Sequence, residues 1–297
     1  MGQRHAAKFP RSIILSVSCL CLFLLSSHPA SGWHDRAHLA VARAAGYVSW
    51  YNAAGPDMAK MKFGPTEGTN HWCNNSAGVE VTPSFVLDQV KQYNKASDLE
   101  GHLYGAIIAS IRAYVQDQEE GKYAGYHMAF CAHYIGDLSM PLHNVPYDAF
   151  NETRHNANDG TVELGALNNI GLIRKNMYSI VIRDEPDLAR EIARIANIAR
   201  RLAAKLREEN RDMTQDEAYA ELSHSASLLR AVLFYAKREN SSSLCRSTST
   251  MKSAQVSAPV DINRLARNIA VADHHEGDVS DLLHSSKTAD RHKIGVQ

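Results

Sequence analysis

Apolar positions along most of this chain recur every three to four residues, the period of a helix buried on one side, and the strict alternation that marks a half-buried strand is scarce. Leu39, Val41, Ala42, Ala45 and Val48 supply the apolar side of a helix over 36–50. Thr82 followed by Pro83 is an N-cap with proline at the first helical position, opening a helix to about residue 94. The run Ser97, Asp98, Leu99, Glu100 starts another over 97–118, with Leu103, Ile107, Ile111 and Val115 on one stripe. A fourth helix spans 122–137, and Pro141 marks its end. Further helices are expected over 162–178, 187–209 and 214–238, the last two long and amphipathic. Segment 55–80, rich in Gly, Pro, Asn and Thr, reads as loop, and 142–160 reads as irregular. Past residue 239 the composition turns to Ser and Thr; 241–253 reads as a linker or disordered segment, with a weak helix over 261–271. The expectation is an all-α, single multi-helix domain over 33–240 with a Ser-rich tail over 241–297.

The first 32 residues change the picture. Arg4, Lys8 and Arg11 precede an apolar stretch from Ile13 to Leu25, and Ala30 and Gly32 put small residues before Trp33. This is the pattern of a secretory signal peptide, which implies a secreted or periplasmic protein starting at Trp33. Its removal leaves 29 Lys+Arg against 32 Asp+Glu, a formal charge of −3, with no footprint for strong duplex DNA binding. No second apolar stretch approaches eighteen residues, so stable membrane insertion is not expected. Cys73, Cys131 and Cys245 remain. An odd count argues against a complete disulfide framework; Cys131 reads as a buried thiol, and Cys73 with Cys245 is a possible pair.

Thirteen histidines survive that cut, and their spacing carries the chemistry. His133 and Asp137 lie four apart on an expected helix, so both leave the same face. His143 follows Pro141, and His155 and Asp159 repeat the four-residue step. Imidazole and carboxylate suit zinc where thiolates are absent, and five such groups in 27 residues exceed the needs of one open catalytic ion. The pattern therefore points to a multinuclear site. Asn156, Asn158 and Gly160 are poor helix formers, so Asp159 is expected on a turn, with Glu152 and Glu163 as rival donors. Other groups have plainer readings. His102 and His127 are polar or capping residues, His224 is packed or exposed on the last helix, His274 and His275 lie in the tail, and Asp35 is a first-turn acid.

The stretch His133, Tyr134, Ile135, Gly136, Asp137, Leu138, Ser139, Met140, Pro141, Leu142, His143 resembles the signature of the superfamily of zinc-dependent phospholipases C and fungal single-strand-specific nucleases. Trp33 followed five residues later by His38, and Asp57 fourteen before His71, are similar to the same superfamily. The resemblance covers about 130 residues and implies three zinc ions. One would be held by Asp57, His71, His133 and Asp137; a second by His143, His155 and Asp159; a third by the free amine and carbonyl of Trp33, by His38 and by the other oxygen of Asp137. It implies an exported phosphodiester hydrolase using hydroxide generated at the metals, with Asp57 either a ligand or the general base.

The gap from His143 to His155 is short, nearer the phospholipase branch than the nuclease branch. The tryptophan-containing helix and the disulfides of the nucleases are missing. The expected activity is accordingly phospholipase C-like; the alternatives are a single-strand-specific nuclease or 3′-nucleotidase, and a non-catalytic zinc-binding protein. Phe63, Trp72 and Phe85 would serve either a lipid surface or a nucleobase.

Overall fold

The structure, a computed structural model, describes residues 33–256, and the side chains of 33–239. The leader over 1–32, the helix expected over 261–271, and His274 and His275 lie outside the described residues. The chain divides into two compact units, 1–244 and 245–297, and every contact described below lies within the first. Among the described residues the regular structure is wholly helical.

Helix α1, Asp35–Ala45, opens with Asp35 in its first turn and stops at Gly46. Gly46 adopts φ +87, a left-handed cap whose N–H reaches the Ala42 and Arg43 carbonyls. That cap ends the helix short of residue 50, and Trp50–Asn52 forms a separate 3-10 turn. The buried face of α1 is mostly alanine, which lets the helix approach its neighbours closely and places His38 inside.

Segment 55–80 is more ordered than its composition suggested. Helix α2, Gly55–Phe63, has Pro56 and Asp57 in its first turn, and the short α3, Pro65–Gly68, begins on proline. Both prolines start helices, where a missing N–H costs nothing. Helix α4, Pro83–Gln89, is capped as expected: the Thr82 hydroxyl accepts from the Phe85 N–H at 3.2 Å. A 3-10 turn, Val90–Gln92, continues it.

Helix α5, Leu103–Glu119, starts later than its sequence pattern suggested. Gly101 sits at φ +70 with the Trp72 backbone against it, a geometry no helix can pass through. Helix α6, Gly125–Leu138, packs on α5 in the largest helix–helix contact of the domain. Leu103, Ile107, Ile135 and Leu138 are fully buried, each contributing about 1.5–3 kcal/mol relative to exposure. Pro141 ends this run and opens a 3-10 turn, Pro141–Asn144.

The expectation of irregular structure over 142–160 is corrected. Helix α7, Ala149–Asp159, is capped by Asp148, whose carboxylate accepts from the Asn151 N–H at 3.2 Å. Asn151 then donates to the Leu142 carbonyl at 2.8 Å, so a cap and a tertiary contact override weak propensity. Asp159 is thus the last helical residue rather than part of a turn. The helix expected over 162–178 is reduced to α8, Ile170–Asn176, after turns through Gly165 and Asn169.

Helix α9, Glu185–Glu208, is capped by Asp184. Helix α10, Gln215–Val256, continues through the serine-rich stretch where composition suggested a linker. Serine is a middling helix former, and extending an existing helix avoids the nucleation cost. From α9 the buried Arg200 donates to the carbonyls of Asn75, Ser76, Val79 and Asn144, fastening the loop after His71 and the turn bearing His143. No helix of the described residues is long and apolar enough to cross a membrane.

Candidate metal centre

Helix α6 delivers His133 and Asp137 one turn apart, both fully buried. Imidazoles from other segments converge on Asp137. Its Oδ2 lies 2.9 Å from His71 Nδ1 and 3.3 Å from His133 Nε2. Its Oδ1 lies 3.4 Å from His38 Nε2 and 3.6 Å from His143 Nδ1. One carboxylate therefore faces His71 and His133 with one oxygen and His38 with the other, while His143 Nδ1 is held by the His71 carbonyl. The His38 and His133 rings stack with centroids 3.7 Å apart, an approach made possible because Gly136 has no side chain; a Cβ there would overlap the His38 ring.

Asp57, on the first turn of α2, comes within 3.6 Å of His133 Nε2 and pairs with Lys60 at 2.7 Å. On the other side, His143 and His155 bring their Nε2 atoms to 3.2 Å, and His155 Nε2 lies 3.3 Å from Asp159 Oδ2. The ligating atoms of His38, His133 and Asp137, of Asp57, His71 and His133, and of His143, His155 and Asp159 form three groups, each within 4.8 Å. Each of these groups could hold a metal ion.

The second nitrogen of four of these histidines is fixed from outside. His133 Nδ1 meets the Ala53 carbonyl at 2.7 Å, His143 Nδ1 the His71 carbonyl at 2.7 Å, and His155 Nδ1 the Asn151 amide oxygen at 2.6 Å. His71 is reversed: its Nε2 meets Glu67 Oε1 at 3.2 Å, and its Nδ1 faces the cluster. An N–H donated outward leaves a lone pair inward, the arrangement that orients imidazole toward a metal.

The electrostatics divide the site. Burial pushes Asp137 up, yet His133, His143 and His38 together hold it well below the usual carboxylate range. Burial also opposes the charge on Asp57, but His133 and Lys60 keep its carboxyl low. His133 is raised to about 9 because Asp137 and Asp57 outweigh its desolvation. Burial lowers His38, and it takes His143 down to about 4 despite Asp137. Asp159 goes the opposite way, raised well above the usual range by burial and then by the negative charges of Asp137 and Asp57.

Several buried atoms here have no well-formed hydrogen bond: both ring nitrogens of His38, Asp137 Oδ1 and both oxygens of Asp159. Buried polar atoms left this way cost free energy that a bound cation would recover. The donor set of the three groups, imidazole and carboxylate with no cysteine among them, fits divalent metals of the zinc type.

Trp33 is fully buried, and the next residue donates its N–H to the Asp159 carbonyl at 3.4 Å, so the start of the described residues runs beside the end of α7. Glu152 and Glu163 are not at the site. Glu152 is exposed on α7, while Glu163 accepts the N–H groups of Arg36 and Ala37 at the start of α1. His102 heads α5 and bonds to Asp98 and Asn70; His127 bonds to Asp117, and His224 to Tyr178. Cys131 and Cys73 are buried free thiols.

Sequence reasoning missed Glu67, Asn151 and Gly136. Glu67 carried a signal, since it precedes His71 by four residues and so repeats the helical step of the two His/Asp pairs. Comparison with protein-family models, curated proteins and solved structures finds nothing that matches this chain.

Proposed function

We propose that this chain is an exported zinc-dependent phosphodiester hydrolase of the phospholipase C type. The observation that carries the reading is the sharing of Asp137 between His71 and His133 on one oxygen and His38 on the other, beside a second His/Asp group. In this reading Asp57, His71, His133 and Asp137 hold one zinc, and His143, His155 and Asp159 a second. Trp33, His38 and Asp137 hold the third. Zinc ions there would neutralise phosphodiester charge, lower the pKa of bound water and stabilise the leaving oxygen. Asp57 is the site carboxylate with a lysine partner, and in this reading it orients the attacking water as well as ligating.

Helix α2 supports a lipid substrate. Its inner side carries Asp57 and Lys60, while Met58, Met61 and Phe63 stand 70%, 83% and 57% exposed on the outside. An outward apolar side next to a polar inner one suits docking on a lipid surface. Phe85 is partly buried against Tyr104 and Trp72 is partly buried, so neither adds to that outer surface.

The test is hydrolysis of phosphatidylcholine vesicles, single-stranded DNA and RNA by protein beginning at Trp33, with and without chelator. Chelator-sensitive release of diacylglycerol from the vesicles is expected. Chelator-sensitive cleavage of nucleic acid alone would move the assignment to the nuclease reading, and a metal-replete protein inert on all three would leave a zinc-binding protein without catalysis. A residue added before Trp33 should lower zinc content and activity together, because it blocks the amine proposed as a ligand; a fully active extended protein would remove Trp33 from the set.

A further inference from the structure

Four histidines of the centre have one nitrogen held from outside, and three of the four holders are neutral oxygens: two backbone carbonyls and the Asn151 amide. The fourth holder, Glu67, is an acid, only 5% exposed. Its Oε1 takes the His71 Nε2 contact at 3.2 Å and the Tyr134 hydroxyl at 2.7 Å, and its Oε2 takes the Asn70 amide at 3.1 Å. Asn70 is itself fixed by His102, whose Nε2 lies 2.8 Å from its Oδ1. No lysine or arginine pairs with Glu67 among the described ion pairs; its ionic partner there is His71. A buried carboxylate is costly unless it is paired and hydrogen-bonded, so this arrangement needs a purpose at His71.

We propose that Glu67 is a positioning residue for the metal centre: it keeps the proton of His71 on Nε2, so that the Nδ1 lone pair is presented beside Asp137 and His133. The inference rests on the metal-centre reading above. Tyr134 sits next to His133 in the chain, yet its hydroxyl points to Glu67. The same helix thus supplies two residues to the centre and a brace for the group that orients a third. A carboxylate holder also makes imidazole a stronger electron donor than a carbonyl does, which places that donor in the group containing Asp57.

The experiment is chelator competition for zinc on full-length mature protein, together with the visible spectrum of the cobalt-substituted form. It compares wild type, Glu67→Gln and Tyr134→Phe. Glu67→Gln keeps shape and loses charge; it should weaken one zinc site by about 10–100-fold and shift the cobalt bands. Tyr134→Phe leaves Glu67 in place and should weaken the same site less. Melting of the metal-free forms separates this from a general loss of fold, since the metal-free Gln variant should melt close to wild type. Wild type that binds zinc, with both variants matching it in affinity and spectrum, overturns the role of Glu67 alone. Wild type that binds no zinc overturns both this inference and the metal-centre reading.

Discussion

The two His-x3-Asp units of this protein share one spacing and have opposite electrostatics. On α6, Asp137 is surrounded by His38, His71, His133 and His143, and its carboxyl is held well below the usual range. On α7, Asp159 has His155 beside it and the charges of Asp137 and Asp57 in view, and its carboxyl is raised well above that range. Both are fully buried, so burial does not separate them. What differs is what other elements bring to each. Local sequence sets which face two groups share; neighbouring helices set whether the acid there is charged in the absence of metal.

The largest effect expected from breaking this contrast is at Asp137. Asp137→Asn removes the partner of four imidazoles, including His133, and should cost the metal-free chain on the order of 3–5 kcal/mol in denaturant unfolding while abolishing metal retention. The sign follows from its depressed carboxyl. The stability it contributes is present above the ordinary carboxylate range and is lost as the pH falls, so the deficit should be greatest at neutral pH.

Asp159→Asn should act with the opposite sign on the metal-free chain. A raised carboxyl contributes stability only at low pH, and that contribution is lost as the pH rises. The amide should therefore melt no lower than wild type at neutral pH, while zinc content falls by one equivalent. A metal-free Asp159→Asn protein markedly less stable than wild type would break the contrast.

Gly136→Ala tests the close approach between α6 and His38. The added methyl meets the His38 ring, so His38 must move away from Asp137 and His133. Loss of one metal equivalent with the His143 and His155 group intact is expected, measured by metal analysis.

Glu221, in the second turn of α10 and outside the three His/Asp groups, is a comparison in which burial dominates. It is raised to about 8, chiefly by desolvation, with no histidine contributing. Its stabilising contribution is complete below its ordinary value of 4.5 and disappears as pH rises towards 8. The melting-temperature gain of Glu221→Gln over wild type should accordingly grow across that window. The smallest effect is at the cap of α7. Asp148→Ala should cost about 1 kcal/mol in thermal unfolding.

Much of this site was legible because helical spacing is geometry. His133 with Asp137 needed only a helix, and Pro141 announced where that helix stops. The long α9 and the cap at Thr82 were visible for the same local reason. Residues 55–63, 65–68 and 149–159 are helical against their weak propensity because prolines at first turns and the Asp148 cap make helices there, while 69–80 is irregular as expected. The convergence of His38 on Asp137 and of Asp57 on His133 is long-range packing, which no local pattern encodes. Glu67 lies between these cases: its spacing to His71 was readable, but its burial and its link to Tyr134 were not.

Each of the three His/Asp groups could hold a metal ion, and we propose that together they form one zinc centre. Metal analysis of purified protein beginning at Trp33, paired with phosphodiesterase assay before and after chelation, tests it most directly. The expected result is close to three zinc per chain, activity lost on chelation and restored by zinc. Fewer than two zinc per chain with full activity retained would contradict it.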